Sequence, residues 1–249
     1  MSNRLREKVA VVSNASKGLG AAIALRFGTE GASVVVNYSG SKDAADKVVD
    51  DICIAGGKAI AVKANMSDPG DVGQLFAEAG RVYGRVDVLI NNAGIYDFRS
   101  IEKLSREDFR KHFDLNVFGY FLAIREAIRY MPEGGSIVNL SCTDTIFVPE
   151  NASVYMTGKG TVDGLTRALS NELAPLGIRV NAIKPGVIDT EGVETGGFLQ
   201  TDIGQEIIAR TPLRRIGVPD DVVPAAVYLA SDESSWTRGE FIFVAGGRH

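Results

Sequence analysis

Short apolar runs alternate with longer amphipathic segments along most of the chain. The run at 8–13, KVAVVS, is continuously apolar and rich in β-branched residues, which is typical of a strand covered on both faces in a parallel sheet. The next segment has helical periodicity and ends at Gly31, a residue type favoured directly after a helix. The run at 33–37, SVVVN, predicts a second strand.

The same alternation predicts the remaining elements. Further strands are expected at 59–63, 86–90, 135–140, 179–183 and 240–244. Helices are expected at 42–55, 69–83, 106–130, around 155 to about 173, and 219–231, with an irregular stretch at 186–216. We therefore expect one doubly wound Rossmann-type α/β domain over residues 1–249, with a seven-stranded parallel sheet and helices on both faces. In such sheets ligands bind at the carboxyl ends of the strands.

Composition narrows the class of protein. Of 249 residues 45% are hydrophobic and 23% charged, as in ordinary globular proteins, and a net charge of −4 without a basic run argues against a nucleic-acid partner. No apolar run approaches the roughly 18 residues of a membrane span, and the N-terminus lacks signal-peptide features, so we expect no membrane partner. The two cysteines and two histidines lack metal-ligand spacing, which predicts no metal site and a cytoplasmic location.

The pair Tyr155 and Lys159 is four residues apart, so a helix would place both side chains on one face. A lysine ammonium one turn from a phenol favours the phenolate and lowers the tyrosine pKa from its usual value of about 10. The same spacing also occurs on ordinary helix surfaces with a snorkelling lysine. Gly158 and Gly160 disfavour a helix, so either this segment is a loop or packing overrides helix propensity.

Several short motifs give this pair a context. They are SNASKGLG at 13–20 between the first strand and helix, NNAG at 91–94, Asn116, the Tyr155–Lys159 pair, and NAIKPG at 181–186 followed by Thr190. In this order and spacing the chain resembles the short-chain dehydrogenase/reductase family over essentially its full length, including its 3-oxoacyl-ACP reductase and glucose 1-dehydrogenase-like members. The resemblance implies a nicotinamide cofactor, hydride transfer to or from a small-molecule carbonyl/alcohol substrate, and a homotetramer or homodimer.

The resemblance also implies catalytic roles. Tyr155 would protonate the carbonyl oxygen or deprotonate the alcohol. Lys159 would hold the nicotinamide ribose and lower the Tyr155 pKa, and Asn116 would hold a water of the proton relay.

Cys142 stands where the family usually has its catalytic serine. A thiol is a weaker hydrogen-bond donor than a hydroxyl. Three alternatives therefore stay open. Cys142 performs the task, Ser141 or Thr143 supplies the hydroxyl instead, or the chain has lost ordinary reductase activity and is a nicotinamide-binding sensor or scaffold.

Cofactor choice depends on the end of the second strand, where an acidic residue would bind a ribose 2′-OH and repel a 2′-phosphate. This chain has Tyr38 and Ser39 there, and Lys17 is within plausible reach of a 2′-phosphate, so we expect NADP(H) to be preferred, with NAD(H) as an alternative. Asn14 replaces the usual glycine and is the non-glycine type best suited to positive φ. The resemblance gives these predicted cofactor contacts: Asn14, Ser16, Lys17, Gly18, Leu19, Gly20, Tyr38, Ser39, Asn65, Met66, Asn92, Ala93, Gly94, Tyr155, Lys159, Pro185, Gly186, Ile188 and Thr190.

The segment at about 187–216 would cover the active site as a lid, since its glycines suit a mobile loop; they are Gly192, Gly196, Gly197 and Gly204. Four aromatic residues fit a pocket wall and ordinary packing equally well: Tyr96, Phe98, Phe147 and Phe198. Asp144 could contact a polar substrate or be solvated. A second apolar set fits a subunit interface and an ordinary core face equally well: Phe118, Phe121, Leu122 and Ile124.

Overall fold

One seven-stranded sheet forms the centre of the fold in a computed structural model that describes residues 3–96, 98–143, 149–190 and 200–248. The strand order is β3-β2-β1-β4-β5-β6-β7, and each neighbouring pair is parallel. The predicted α/β class with a seven-stranded parallel sheet is confirmed. The strands are β1 (Val9–Val12), β2 (Ser33–Tyr38), β3 (Lys58–Lys63), β4 (Val88–Asn91), β5 (Ser136–Leu140), β6 (Arg179–Pro185) and β7 (Phe241–Val244).

Helices cover both faces of the sheet. They are α1 (Gly18–Thr29), α2 (Lys42–Ile54), α3 (Pro69–Tyr83), α4 (Arg106–Phe113), α5 (Gly119–Ala127), α6 (Ser153–Glu172), α7 (Asp202–Arg210) and α8 (Pro219–Ala230). Successive strand residues point to opposite faces. Val12 therefore joins the apolar core formed with α1, α2 and α8, whereas Val11 joins the core formed with α3, α5 and α6.

The helical region predicted at 106–130 is present over 106–127, but it is not one regular helix. A π-helical turn, Asp114–Phe118, separates α4 from α5, and α5 ends at Ala127. The turn is held by close packing on its C-terminal side, because a Cβ atom at Gly119 would lie 2.7 Å from the Met66 carbonyl oxygen. Such turns are rare and frequent at functional sites.

The prediction of an irregular stretch over the whole of 186–216 is wrong, since this segment contains the helix α7. The Thr201 hydroxyl accepts a hydrogen bond from the Gly204 amide at 3.1 Å and caps this helix. A glycine inside the first turn lowered the helical signal in the sequence.

The apolar set of α5 and its preceding turn does not form one face. Phe118 and Phe121 are exposed, whereas Leu122 and Ile124 are buried in the core. Ordinary core packing therefore accounts for the latter two residues, and only the two phenylalanines remain available for a subunit interface.

The strand order reverses at β1: β2 and β3 are added on one side of it and β4 to β7 on the other. The segments that follow β1 and β4 therefore leave the same edge of the sheet on opposite sides. This switch point opens a crevice, which is where ligands bind in doubly wound sheets.

Candidate active site

The turn after β1 has the backbone conformation predicted from its residues. Asn14 has φ 51° and Gly18 has φ 56°, both in the left-handed region. The Asn14 amide donates to the Asn37 side-chain oxygen of β2 at 2.9 Å, which anchors the turn. Asn14 thus adopts the positive φ for which asparagine is well suited.

This turn is joined to the segment after β4. The Asn92 side-chain amide donates to the carbonyl oxygens of Ser13 and Asn14 at 3.0 and 3.1 Å. The Ser13 hydroxyl accepts from the backbone amides of Asn92 and Ala93 at 2.8 and 2.9 Å. A Cβ atom at Gly20 would lie 2.4 Å from the Asn14 carbonyl oxygen, so this position admits only glycine without rearrangement.

The end of β2 carries no carboxylate at position 38. Tyr38 is buried in the core on the α1 side, while Ser39 and Lys17 are exposed at the edge of the crevice. Asn65 is exposed as well, and its side-chain oxygen accepts from the amide and hydroxyl of Ser67 at 3.1 and 2.8 Å. The Asn65 amide nitrogen is thus the part of that side chain still suited to a ligand, whereas Met66 is buried.

The π-helical turn holds Asn116 in a fixed orientation. Its side chain donates to the Ile95 carbonyl oxygen at 2.7 Å and accepts from the Ile95 amide at 2.8 Å. A Cβ atom at Gly94 would lie 3.3 Å from the Asn116 side-chain oxygen. The turn also packs against α6, since a Cβ at Gly158 would lie 3.9 Å from the Asn116 Cβ. Packing therefore overrides glycine's low helix propensity, and the segment with Tyr155 is a helix, not a loop.

The Leu140 carbonyl oxygen, at the end of β5, is a shared acceptor. The Lys159 ammonium donates to it at 2.6 Å, and the Tyr120 hydroxyl donates to it at 3.1 Å. The ammonium nitrogen also lies 5.6 Å from the Tyr120 ring centroid and 5.9 Å from that of Tyr155. These distances fall within the range of cation–π contacts.

Burial dominates the electrostatics of Lys159. Loss of solvent lowers its pKa from 10.5 to about 8, while the nearby Cys142 and Asp163 act in the opposite direction. Burial, followed by the neighbouring Cys142, raises the pKa of Tyr120 above its ordinary value. Tyr120 is therefore a neutral hydrogen-bond donor near neutral pH, and Lys159 is close to the point where it loses its charge.

Three neighbouring residues are candidates for the position usually held by serine. Cys142 is buried in a small cluster with Ala152, Met156 and Tyr155. The Ser141 hydroxyl donates to the Asp163 carboxylate at 2.6 Å, and the Thr143 hydroxyl donates to the Pro185 carbonyl oxygen at 3.3 Å. Tyr155 packs against the cluster that contains Cys142, whereas the two hydroxyls are hydrogen-bonded to Asp163 and Pro185.

An aromatic wall stands over the Tyr155 ring. The centroids of Tyr96 and Phe98 lie 6.5 and 6.1 Å from that of Tyr155, both with edge-to-face geometry. Both residues are more than half exposed, at 63% and 52%, so they line an open cleft and not a core. Phe147, Phe198 and Asp144 lie outside the described residues, as do Gly192, Gly196 and Gly197.

The segment after β6 approaches the glycine turn. A Cβ atom at Gly18 would lie 3.6 Å from the Thr190 methyl group, so the two predicted cofactor contacts are neighbours. Gly186 and Ile188 line a cavity of about 350 Å³ that also involves α7 and the C-terminal segment. Pro185 is buried at the end of β6, and Ser16 is buried in the turn, whereas Leu19 is half-buried on α1.

Three residues near this site were missed by sequence analysis: Tyr120, Asp163 and Lys184. Asp163 continues the four-residue spacing of Tyr155 and Lys159, and Tyr120 follows Asn116 by the same interval. That spacing was a usable signal. Lys184 stands inside the NAIKPG motif, but no local pattern indicated its contact with Asp163, because that contact joins distant parts of the chain.

Among the residues that the structure describes, no helix is long and apolar enough to cross a bilayer. In the same ranges, no group of three or more His, Cys, Asp or Glu side chains is arranged to hold a metal ion.

Comparison with known proteins shows which chains this protein is similar to. The family model described as "Enoyl-(Acyl carrier protein) reductase" matches residues 14–249. An uncharacterized oxidoreductase of Methylorubrum extorquens is 45% identical over 245 residues, which is 98% of this chain and 99% of the relative. Versicolorin reductase 1 of Aspergillus parasiticus is 39% identical over 259 residues, covering 99% and 98%. The structure of a short chain dehydrogenase from Burkholderia cenocepacia in complex with NADP has a TM-score of 0.92 at 31% identity, covering 98% and 99%.

The doubly wound sheet, the glycine turn at its switch point and these relatives define an NAD(P)-dependent oxidoreductase. The chain belongs to the short-chain dehydrogenase/reductase family, as its motifs predicted.

Proposed function

We propose that the protein is an NADP(H)-dependent reductase of an apolar, ring-containing ketone, with Tyr155 as the proton donor. The observation that carries the proposal is the cluster at the end of β5, where Lys159 is bound to the Leu140 carbonyl and lies 5.9 Å from the Tyr155 ring. Asn116 and Cys142 pack beside the same helix.

The crevice fits a dinucleotide. The glycine turn has no room for a side chain at Gly20, and α1 begins directly after the turn at Gly18. Free backbone amides at a helix N-terminus favour a phosphate. When bound there, a nicotinamide cofactor would supply the hydride. Asn92 and Thr190 lie next to this turn and would help to hold the cofactor.

The protein's own residues would move the proton. Tyr155 would donate its phenolic proton to the carbonyl oxygen as negative charge develops there. The Lys159 ammonium would stabilise the phenolate that remains, because a positive charge nearby lowers a phenol's pKa. The π-helical turn at Asn116 leaves backbone carbonyls outside the regular helical pattern, where they can bind a water that resupplies the proton.

Cys142 would hold the carbonyl oxygen of the substrate. Its side chain packs beside Tyr155, whereas the hydroxyls of Ser141 and Thr143 are hydrogen-bonded elsewhere. The thiol is a weak donor. Cys142 would therefore orient the ketone more than it stabilises an oxyanion.

The substrate class follows from the walls of the cleft. Tyr96 and Phe98 are in edge-to-face contact with Tyr155, and Cys142 and Met156 belong to the small apolar cluster against which Tyr155 packs. Aromatic rings and sulfur both favour contact with a flat apolar ring. A relative that is a versicolorin reductase is consistent with such a substrate.

NADP(H) preference rests on charge. Position 38 offers no carboxylate to repel a 2′-phosphate, and the exposed Lys17 and Ser39 border the crevice. In the test, Lys17→Ala should weaken NADPH binding about tenfold and NADH binding much less, since one exposed charge contact to a phosphate contributes roughly 1–2 kcal/mol. An unchanged NADPH/NADH ratio would contradict this role.

The deciding experiment is NADPH oxidation with a panel of cyclic aryl ketones, aliphatic ketones and β-ketoacyl thioesters. We expect turnover of the aryl ketones by the wild type. Tyr155→Phe should abolish that turnover and leave NADPH binding, followed by fluorescence, intact. NADPH binding without turnover of any ketone would instead favour a sensor or scaffold, an alternative that the enzymatic relatives do not favour.

We further propose that the protein is a cytoplasmic homodimer or homotetramer with one domain per chain. Phe109, Phe118 and Phe121 are exposed aromatic side chains of α4, the π-helical turn and α5, and the Phe109 ring stacks on that of Phe113 with the centroids 4.3 Å apart. An apolar aromatic surface of this kind favours association. A monomer in light scattering at micromolar concentration would contradict the proposal.

A further inference from the structure

A largely buried ion pair between Asp163 and Lys184 lies next to the candidate active site. The Asp163 carboxylate, one helical turn after Lys159 on α6, accepts a hydrogen bond from the Ser141 hydroxyl at 2.6 Å. Its other oxygen lies 2.5 Å from the Lys184 ammonium of β6. The side chains of Asp163 and Lys184 are only 15% and 7% exposed.

Lys184 is held from a second side by the last strand. Its ammonium nitrogen lies 5.2 Å from the Phe241 ring centroid and 5.4 Å from that of Phe243. Such contacts stabilise a cation that is shielded from water. Because breaking a buried pair leaves an uncompensated charge, the two residues depend on each other.

The pair is connected to the reaction site through three consecutive residues. Leu140 provides the carbonyl that binds Lys159, Ser141 provides the hydroxyl bound to Asp163, and Cys142 packs beside Tyr155. The Ser141 amide also donates to the Ile183 carbonyl at 2.9 Å. A carboxylate that fixes Ser141 therefore fixes the residues before and after it.

The pair also sets part of the local charge. The Asp163 carboxylate acts on Lys159, where its negative charge opposes the loss of the ammonium's proton and so raises the Lys159 pKa. Around Tyr155 and Lys159, the other described titratable groups are the phenols of Tyr96 and Tyr120 and the thiol of Cys142. Lys184 lies behind Asp163 and offsets its negative charge.

We propose that Asp163 and Lys184 are positioning residues, whose ion pair fixes Ser141 and Cys142 and whose opposite charges balance the electrostatic field at Lys159 and Tyr155. The catalytic consequence rests on the proposed function. The structural and electrostatic part does not, and it can be tested without cofactor or substrate.

The test is the titration of Tyr155 in the apoprotein. Tyrosinate formation is followed by ultraviolet difference absorbance, and subtracting the Tyr155→Phe curve in each background isolates this one of the 7 tyrosines. Asp163→Asn keeps an acceptor for Ser141 but removes the negative charge, so the midpoint should fall. Lys184→Met keeps an apolar stem against Phe241 but removes the positive charge, so the midpoint should rise. Each shift should be about half a pH unit or more.

Three variants complete the design. The double change, Asp163→Asn with Lys184→Met, removes both charges and should return the midpoint close to the wild-type value. Lys184→Gln keeps a hydrogen-bond donor for Asp163 and should also raise the midpoint, so the direction remains testable if Lys184→Met does not fold. Lys47→Met, on the exposed face of α2, is the matched surface control and should leave the Tyr155 midpoint unchanged.

Opposite shifts from the two single variants would support the proposal, because a purely structural defect has no reason to change sign with charge. Shifts of the same sign, or none beyond that of Lys47→Met, would overturn it. If the shifts are opposite but no ketone is reduced, the ion-pair proposal stands and the proposed function fails. If the protein reduces ketones but the shifts are absent, the proposed function stands and the ion-pair proposal fails.

Discussion

Replacing Lys159 with methionine should stabilise the apoprotein while removing its activity. The side chain is almost fully buried, and burial lowers its pKa from 10.5 to about 8. At 1.36 kcal/mol for each pKa unit, keeping this lysine protonated in the folded state costs about 3 kcal/mol near pH 7. Methionine has a similar length and no charge, so Lys159→Met avoids that cost.

The loss of one hydrogen bond offsets part of this gain in the free energy of unfolding. The substitution removes the lysine's hydrogen bond to the Leu140 carbonyl, but the Tyr120 hydroxyl still donates to that oxygen. The acceptor is therefore not left unpaired, and the loss is about 1 kcal/mol. We expect a net stabilisation of about 2 kcal/mol in urea unfolding near pH 7.

The pH dependence supplies the sharper test. Between about pH 8 and 10.5 the folded wild type has released the Lys159 proton, while the unfolded chain still binds it. Wild-type stability therefore rises through this window relative to the variant, and the advantage of Lys159→Met should disappear toward its upper end. Lys47→Met is the control, since an exposed site should alter stability by less than about 0.5 kcal/mol throughout. A Lys159→Met protein less stable than wild type near neutral pH, or one whose advantage persists unchanged at high pH, would refute the reasoning.

Three further predictions concern the cleft and the glycine turn. Cys142→Ser should raise kcat about tenfold and Cys142→Ala should lower it, because a hydroxyl is a stronger hydrogen-bond donor to a developing oxyanion than a thiol. If neither Cys142 change affects kcat but Thr143→Val abolishes activity, Thr143 is the residue that binds the oxyanion. Phe98→Ala should lower kcat/KM for aryl ketones about fivefold relative to aliphatic ones, since an aromatic contact contributes roughly 1 kcal/mol, and equal losses for both classes would count against the aromatic wall. Gly20→Ala should destabilise the fold by about 1–3 kcal/mol and abolish cofactor binding in a fluorescence titration. The matched change Gly160→Ala, where a Cβ meets nothing within 4 Å, should stabilise by about 0.5–1 kcal/mol, and the same sign for both would contradict the packing at Gly20.

The elements of the sheet were predictable because they are local. Buried parallel strands such as β1 are short, continuous apolar runs, and the glycine turn between β1 and α1 needs residue types that the sequence displays openly. The prediction failed where a local pattern was interrupted by packing. The π-helical turn before α5 depends on the contact between Gly119 and Met66, more than 50 residues apart in the chain.

The alternation of apolar runs and amphipathic segments by itself determined the fold class, because helical and strand periodicities are properties of neighbouring residues. The family followed from the resemblance of the short motifs, which also singled out Tyr155, Lys159 and Asn116. Only the tertiary structure decided what those side chains contact. It brings Tyr120 and Lys159 to one carbonyl at the end of β5, directs the Ser141 hydroxyl to Asp163, and pairs Asp163 with Lys184. These contacts join β5, β6, α5 and α6, which are far apart in the sequence. The charged side chains interact in a buried environment of low dielectric constant that forms only when these elements pack together.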